Sequence, residues 1–469
     1  LLAATTALDS LLFRDAFGTA EMRDVFSDRS TIARYIEVEV ALARAEARCG
    51  VIPDAAAQQI ASAVSLESLD FDRLRRETDI VGYPILPLVH QLAEQAGDAG
   101  RFLHWGATTQ DIMDTAVVLQ IRDALRLIEA DLNRLRNVLA RMALRYKHTP
   151  MAGRTHLQQA LPVTFGYKVA VWLSMFDRHA QRLQELRPRV LVGQFAGAAG
   201  TLASLAADTL ASLAAGTLAS PGERGLAVQR ALMEELQLGV PAATWHVARD
   251  NLAEAVNFLG LLTGSLGKVA LDVMLLSSSE FGEVQEPFVA GRGASSTMPQ
   301  KRNAISSELM LAASKAVRQD AGLMLDAMVQ DLERATGPWH AEWLALPNSF
   351  VLTAGALRNA NFMLEGLTVD RDRMRRNLAA SNGLIVAEAV MMELAPYIGR
   401  QKAHDVVYDA CRTVYEKGGA LGDVLAADTA VTDHIDRKAI DRLTDPVNYL
   451  GHSVKMVEQV VGSFQRDLS

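Results

Sequence analysis

The stretch from Asp111 to Lys147 contains neither glycine nor proline, and that run constrains the fold more than any other feature. Its apolar positions, among them Val117, Leu119, Ile121, Leu125, Ile128, Leu132, Leu135 and Leu139, fit helical spacing better than alternation. Arg, Asp and Glu fill the gaps, which leaves one flank for solvent. At 1.5 Å per residue such a rod is roughly 50 Å long. Helices beyond about 25 residues belong to bundles, coiled coils or membrane spans. A bilayer needs about 20 largely apolar residues. The most apolar stretch, Phe258 to Leu276, is broken by Thr263, Ser265, Lys268 and Asp272. A long-helix bundle with no membrane partner is therefore expected.

Three further segments repeat the pattern: Val163 to Leu186, ending at Arg187-Pro188, then Trp245 to Glu280 and Ile305 to Arg334. Pro162, Pro241 and Pro299 precede these helices, where a missing N–H matters least. Strand signals are thin, and Val190 to Phe195 reads as an extended connector. The predicted fold class is all-α with three parts: an N-terminal helical domain over 1–105, a central long-helix bundle over 106–345, and a C-terminal helical domain over 346–469. Leu346-Pro347-Asn348, Ser381-Asn382-Gly383 and Tyr397-Ile398-Gly399 punctuate the last part. TLASLAAD at Thr201, TLASLAAG at Thr209 and TLAS at Thr217 form an eight-residue repeat. It is too short for a solenoid and reads as an Ala-rich hairpin or surface insertion.

Composition excludes several functions. Asp plus Glu number 55 against 47 Lys plus Arg, a net charge of -8, which argues against a nucleic-acid partner. Cys49 and Cys411 are the only cysteines, so no disulfide framework is expected and the chain fits a reducing cytosol. The N-terminal residues show no signal-peptide pattern, and a cytoplasmic location is expected. The ten histidines are scattered, without metal-ligand spacing. The glycine-rich pieces match neither a phosphate-binding nor a dinucleotide loop. Neither metal nor cofactor is expected.

Three segments carry candidate chemistry. Gly291 to Asn303 places Ser295, Ser296, Lys301 and Asn303 between two helical runs. Hydroxyls, a cation and an amide suit a carboxylate and developing negative charge, although a helix-entry loop with capping serines has the same composition. Gly153 to Gln159 carries His156, a proton-transfer or orienting group, beside Thr155 and Gln158; a satisfied polar histidine is the bland reading. His104 to Asp111 precedes the longest helix, and Thr108 or Thr109 can cap it or use its free N–H groups to hold an anion.

HWGATTQD at 104–111, GRTHLQQALP at 153–162 and SSTMPQKRN at 295–303 resemble, in order, the three signature regions of the fumarase/aspartase superfamily. The resemblance implies a homotetramer whose central helices build a shared core and whose active sites draw on three subunits. It implies elimination or addition beside a carboxylate of a small polycarboxylate substrate, without a cofactor. By the same resemblance Ser296 is the general base and His156 a second catalytic group. Thr108, Thr109, Gln158, Ser295, Lys301 and Asn303 are the substrate contacts, with Arg249 a further cation for a tricarboxylate alongside Arg154 and Arg302. WHVARD at 245–250, ERATGPWHAEW at 333–343 and VGYP at 81–84 are most similar to the branch that lactonises 3-carboxy-cis,cis-muconate. A C–N or C–O lyase forming fumarate or another unsaturated dicarboxylate is the alternative, followed by a non-enzymatic structural relative. Ala294 and Ala304 depart from the glycine and proline usual at those places.

Overall fold

A computed structural model describes residues 5–206, 223–334 and 336–467. The chain is mainly helical, and its strands among the described residues form two two-stranded sheets. The helices that matter below are α1 (Asp28–Arg48), α2 (Phe71–Val81), α3 (Thr109–Arg145), α4 (Phe165–Val190), α5 (Asp250–Ser277), α6 (Ile305–Ala327) and α7 (Gly337–Glu365). On α3, Leu119, Ile121, Leu125, Ile128, Leu132, Leu135 and Leu139 are all fully buried. The periodicity of that run is thus the periodicity of the core.

Proline misleads the sequence reading twice. α4 continues through Pro188 to Val190, with the proline in its last turn. α7 runs straight across Leu346-Pro347-Asn348, which the sequence presents as a turn and a domain edge. Trp339, Leu346, Phe350 and Leu357 are buried along it, and their packing outweighs a proline penalty of about 3 kcal/mol. Pro162 lies in a strand three residues before α4: β1 (Pro150–Thr155) pairs antiparallel with β2 (Gln158–Thr164), a hairpin the sequence does not announce, and the helix expected from Val163 begins at Phe165. α6 also ends at Ala327, seven residues short of Arg334 by number.

The chain divides into two compact units. The first comprises Leu1–Asp131, His179–Gly264 and Ala312–Arg358; the second comprises Leu132–Arg178, Ser265–Leu311 and Asn359–Ser469. The cuts fall inside the long helices. In the second unit, Ala387–Ile398 packs on Arg400–Lys417 around Val390, Leu394, Ala403 and Val407.

By length and composition alone α5 is the one continuous helix among the described residues long and apolar enough to cross a bilayer, and half of its apolar window is buried in the fold, as in a core helix. Leu261, Leu271 and Leu275 remain exposed on it. Most of the eight-residue repeat falls in 207–222, outside the described residues; its first copy contributes the single turn Ala203–Ala206.

Candidate active site

In the first unit the candidate anion site is the start of α3. Thr109 is its first residue, and the Thr108 backbone N–H donates to Asp111 Oδ2 at 3.0 Å, while the Asp111 N–H donates to the Thr108 carbonyl at 2.9 Å. This reciprocal cap fixes where the helix begins. Asp111 does more than cap. It is fully buried, and it accepts from the Ala196 and Gly197 N–H groups at 3.0 and 2.9 Å and pairs with His246 Nε2 at 2.8 Å. The preceding residue, Gln110, donates to the His246 carbonyl and accepts from Arg334 Nη1. The half-buried Thr108 and Thr109 therefore stand on a rigid base made of two distant chain segments.

One turn along α3, Asp114 and Glu342 hold Arg249 from two sides. Arg249 Nη1 and Nη2 reach the Asp114 carboxylate at 2.7 and 2.9 Å, and Nε and Nη2 reach Glu342 at 2.8 and 2.6 Å. The side chain is 2% exposed. Burial alone would lower its pKa, but the two carboxylates raise it further above the usual value. Both faces of the guanidinium fork are occupied. The expectation that Arg249 contacts a substrate carboxylate is thereby corrected: its charge is already spent on two internal anions.

The second unit carries the other two segments. His156 and Leu157, with φ of 50° and 63°, form the two-residue turn between β1 and β2. Two consecutive positive φ values are the type I′ geometry, which matches the twist of a hairpin but favours Asn and Gly. His156 and Gln158 are both exposed at this tip. Behind it, β1 bulges between Ala152 and Arg154, and a Cβ on Gly153 would lie 2.7 Å from the Leu161 carbonyl, so only glycine fits. Arg154 forms a two-pronged pair with fully buried Glu283 at 3.0 and 2.6 Å and lies 4.3 Å over the Phe281 ring. Asn377 also donates to Glu283, at 2.8 Å. Arg154 is therefore a clamp at the base of the hairpin.

The 291–303 loop closes on a neck. Ala294 bridges Arg302, and the Asn303 N–H donates to the Gly293 carbonyl at 3.0 Å. Gly293 has φ of 70°, and a Cβ there would meet the Asn303 carbonyl at 2.5 Å, so this approach also demands glycine. Arg302 donates to Gln285 Oε1 and the Glu286 carbonyl, which ties it to the neck. Glu286 in turn caps α6 by accepting from the Ser306 and Ser307 N–H groups at 3.1 and 2.8 Å. Ser295 Oγ accepts from the Thr297 and Met298 N–H groups, so its hydroxyl shapes the turn. Ser296 and Lys301 are left exposed beyond it, with Asn303 half-buried at the neck.

The sequence-derived residues thus sort into three places. Ser295, Ser296, Lys301 and Asn303 share one loop, His156 and Gln158 share one hairpin, and Thr108 and Thr109 share one helix start. Arg249 and Arg154 are committed to internal carboxylates, and the exposed Arg302 is tied to Gln285 and the Glu286 carbonyl. Sequence reasoning missed Asp111 and His246 as a buried pair and Glu342 as the second partner of Arg249. WHVARD and HAEW contain those residues, but nothing in their spacing shows that they meet Asp111 and Asp114 on α3.

Residues 16–318 match the family model described as lyase, and residues 383–460 match that described as adenylosuccinate lyase C-terminus. The chain is 47% identical to 3-carboxy-cis,cis-muconate cycloisomerase of Pseudomonas aeruginosa, covering 96% of this chain and 95% of that protein. It is 44% identical to trans-aconitate decarboxylase 1 of Mycosarcoma maydis, covering 95% and 88%. The crystal structure of 3-carboxy-cis,cis-muconate lactonizing enzyme from Pseudomonas putida superposes with a TM-score of 0.89 at 41% identity, covering 98% of this chain and all of that one. The family match spans well over half of the chain, and the all-α fold agrees with it, so the protein belongs to the fumarase/aspartase superfamily.

Proposed function

We propose that this protein is a 3-carboxy-cis,cis-muconate cycloisomerase. The observation that carries the reading is near-full-length identity of 47% to a protein of that activity. In the reaction one substrate carboxylate oxygen adds to a carbon–carbon double bond. The electron pair moves onto the carbon beside another carboxylate, which becomes an aci-carboxylate until that carbon takes up a proton. Lys301 and Asn303 bind this carboxylate and stabilise its extra charge. Ser296 delivers the proton in this direction and removes it in reverse. A free hydroxyl is far too weak a base, so the closed site must stabilise the alkoxide. Thr108 and Thr109 at the α3 start and Gln158 hold the remaining carboxylates, and His156 orients or protonates. Ser295 keeps the serine turn in shape.

The active species in this reading is a cytoplasmic homotetramer with a long-helix tetramerisation domain over 106–345 between helical domains 1–105 and 346–469. The exposed apolar residues Leu261, Leu271 and Leu275 of α5 supply surface for subunit contact. The exposure of Ser296, Lys301 and His156 in a single chain supports sites completed by other subunits.

The second reading is decarboxylation of trans-aconitate, favoured by 44% identity to the Mycosarcoma maydis protein. Purified protein given each compound separates the two. Loss of diene absorbance from 3-carboxy-cis,cis-muconate supports the first; carbon dioxide release from trans-aconitate with the muconate untouched replaces it with the second. Shared sites are tested by mixing Ser296→Ala and His156→Ala preparations after dissociation and reassembly. Partial recovery of turnover supports them, and verified mixed tetramers without recovery remove Ser296 and His156 from a common inter-subunit site.

A further inference from the structure

The first unit contains a cavity of about 770 Å³ that none of the residues given a substrate role under the proposed function lines. This is within the usual range for small-molecule sites, about 300–1,000 Å³. Its inner wall is α3, with Met113 and Val117, and its outer wall is α2, with Leu74 and Thr78. Pro347 of α7 faces it as well. Phe26, Tyr35, Phe71, Trp339 and Trp343 supply aromatic surface.

The charges of the lining are unequal. Asp28, Asp72, Asp114 and Glu342 face two guanidinium groups, Arg75 and Arg249. Arg249 is fully committed to Asp114 and Glu342 at the buried end. Asp28 and Asp72 stand exposed at the rim with Arg75 alone opposing them. Tyr35 is 5% exposed. Burial, with Asp114 and Asp28 adding to it, pushes that phenol far above its usual pKa and keeps it a neutral donor and acceptor. A polycarboxylate is repelled by this lining. A cation is attracted by the rim carboxylates and by the negative faces of the aromatic rings.

We propose that this cavity is a second ligand site, separate from the signature segments, that takes a small aromatic organic cation: the ring against Trp339, Trp343 and Tyr35, the protonated nitrogen toward Asp28 and Asp72.

The test is isothermal titration of the intact protein with benzamidinium, with its neutral isostere benzamide, and with benzoate. Benzamidinium binds with sub-millimolar affinity, and the other two bind at least about tenfold more weakly. Val117→Phe intrudes on the ring site from the inner wall and weakens binding at least about tenfold. Asp28→Asn with Asp72→Asn, two surface changes that leave the volume intact, weaken benzamidinium about tenfold and bring it level with benzamide. Muconate turnover keeps its KM in the presence of benzamidinium. No heat with any probe, equal binding of benzoate, full affinity in Val117→Phe or in the Asp28/Asp72 double variant, or competition with muconate each overturns the proposal.

Discussion

Arg249 and Lys301 both stand in motifs that invite a substrate-binding reading, and the structure treats them in opposite ways. Arg249 lies in the first unit, 2% exposed and saturated by two carboxylates. Lys301 lies on the loop of the second unit, its side chain exposed beyond a neck tied by Ala294, Arg302 and Asn303. A charged motif residue is a candidate for chemistry only if its hydrogen-bonding capacity is left over after folding. The buried group sets the shape of the scaffold; the exposed one keeps its charge for a ligand.

The contrast breaks most easily at Arg249. Arg249→Met strands Asp114 and Glu342 as buried anions, and stability falls by about 3–5 kcal/mol, read as a lower denaturant midpoint. A midpoint within experimental error of the parent, with turnover lost, would return Arg249 to the substrate. Ser296→Ala is the converse case. Turnover falls at least about 10²-fold while the melting temperature stays put, and near-normal turnover removes the base assignment. Lys301→Met behaves similarly, with KM raised and turnover lowered together.

Glu46 sharpens the buried half of the comparison because it is an exception there. It is fully buried, and neither carboxylate oxygen has a partner. Burial, reinforced by Glu39, pushes its pKa up to about 9 from the ordinary 4.5. The folded state holds the proton more tightly, so the stabilisation from this group is complete below about pH 4.5 and is lost as pH rises toward 9. Glu46→Gln gains on the order of a few kcal/mol over the parent at pH 8, and the gain disappears toward pH 4.5. Parallel pH profiles of the two denaturation midpoints rule this out. The smallest effect is at the hairpin tip. His156→Gly relieves a positive φ and raises stability by about 1 kcal/mol or less, while turnover drops. A destabilised His156→Gly shows that the imidazole packs in the fold and is not held out for chemistry.

The long helices were legible because a core-facing stripe repeats over many turns, and one misplaced residue does not erase it. Single prolines were over-read: Pro347 sits inside α7 because buried aromatic and aliphatic neighbours hold the helix together around it. The hairpin was illegible for the opposite reason. Its turn is His156-Leu157 and not Asn-Gly, and its second strand contains Pro162, so local chemistry argues against a structure that tertiary contacts impose. The three signature segments were legible as motifs. Their division into exposed and saturated residues was not, because the partners of Asp111, Arg249 and Arg154 lie 135, 135 and 129 residues away by number.

The clamp between Arg154 and Glu283 leaves a trace in inheritance. Glu283 is fully buried and Arg154 nearly so, so a lineage that loses either one alone is left with an unpaired charge in the interior. Drift at these two sites must pass through a costly intermediate or move in step. A library randomised at both positions and selected for folded protein should therefore return the native pair, or two neutral residues of similar joint volume, far more often than any mixture of one with the other. The hairpin tip and the segment leading to the serine loop are in this sense one heritable unit, although 129 residues of sequence separate their anchors.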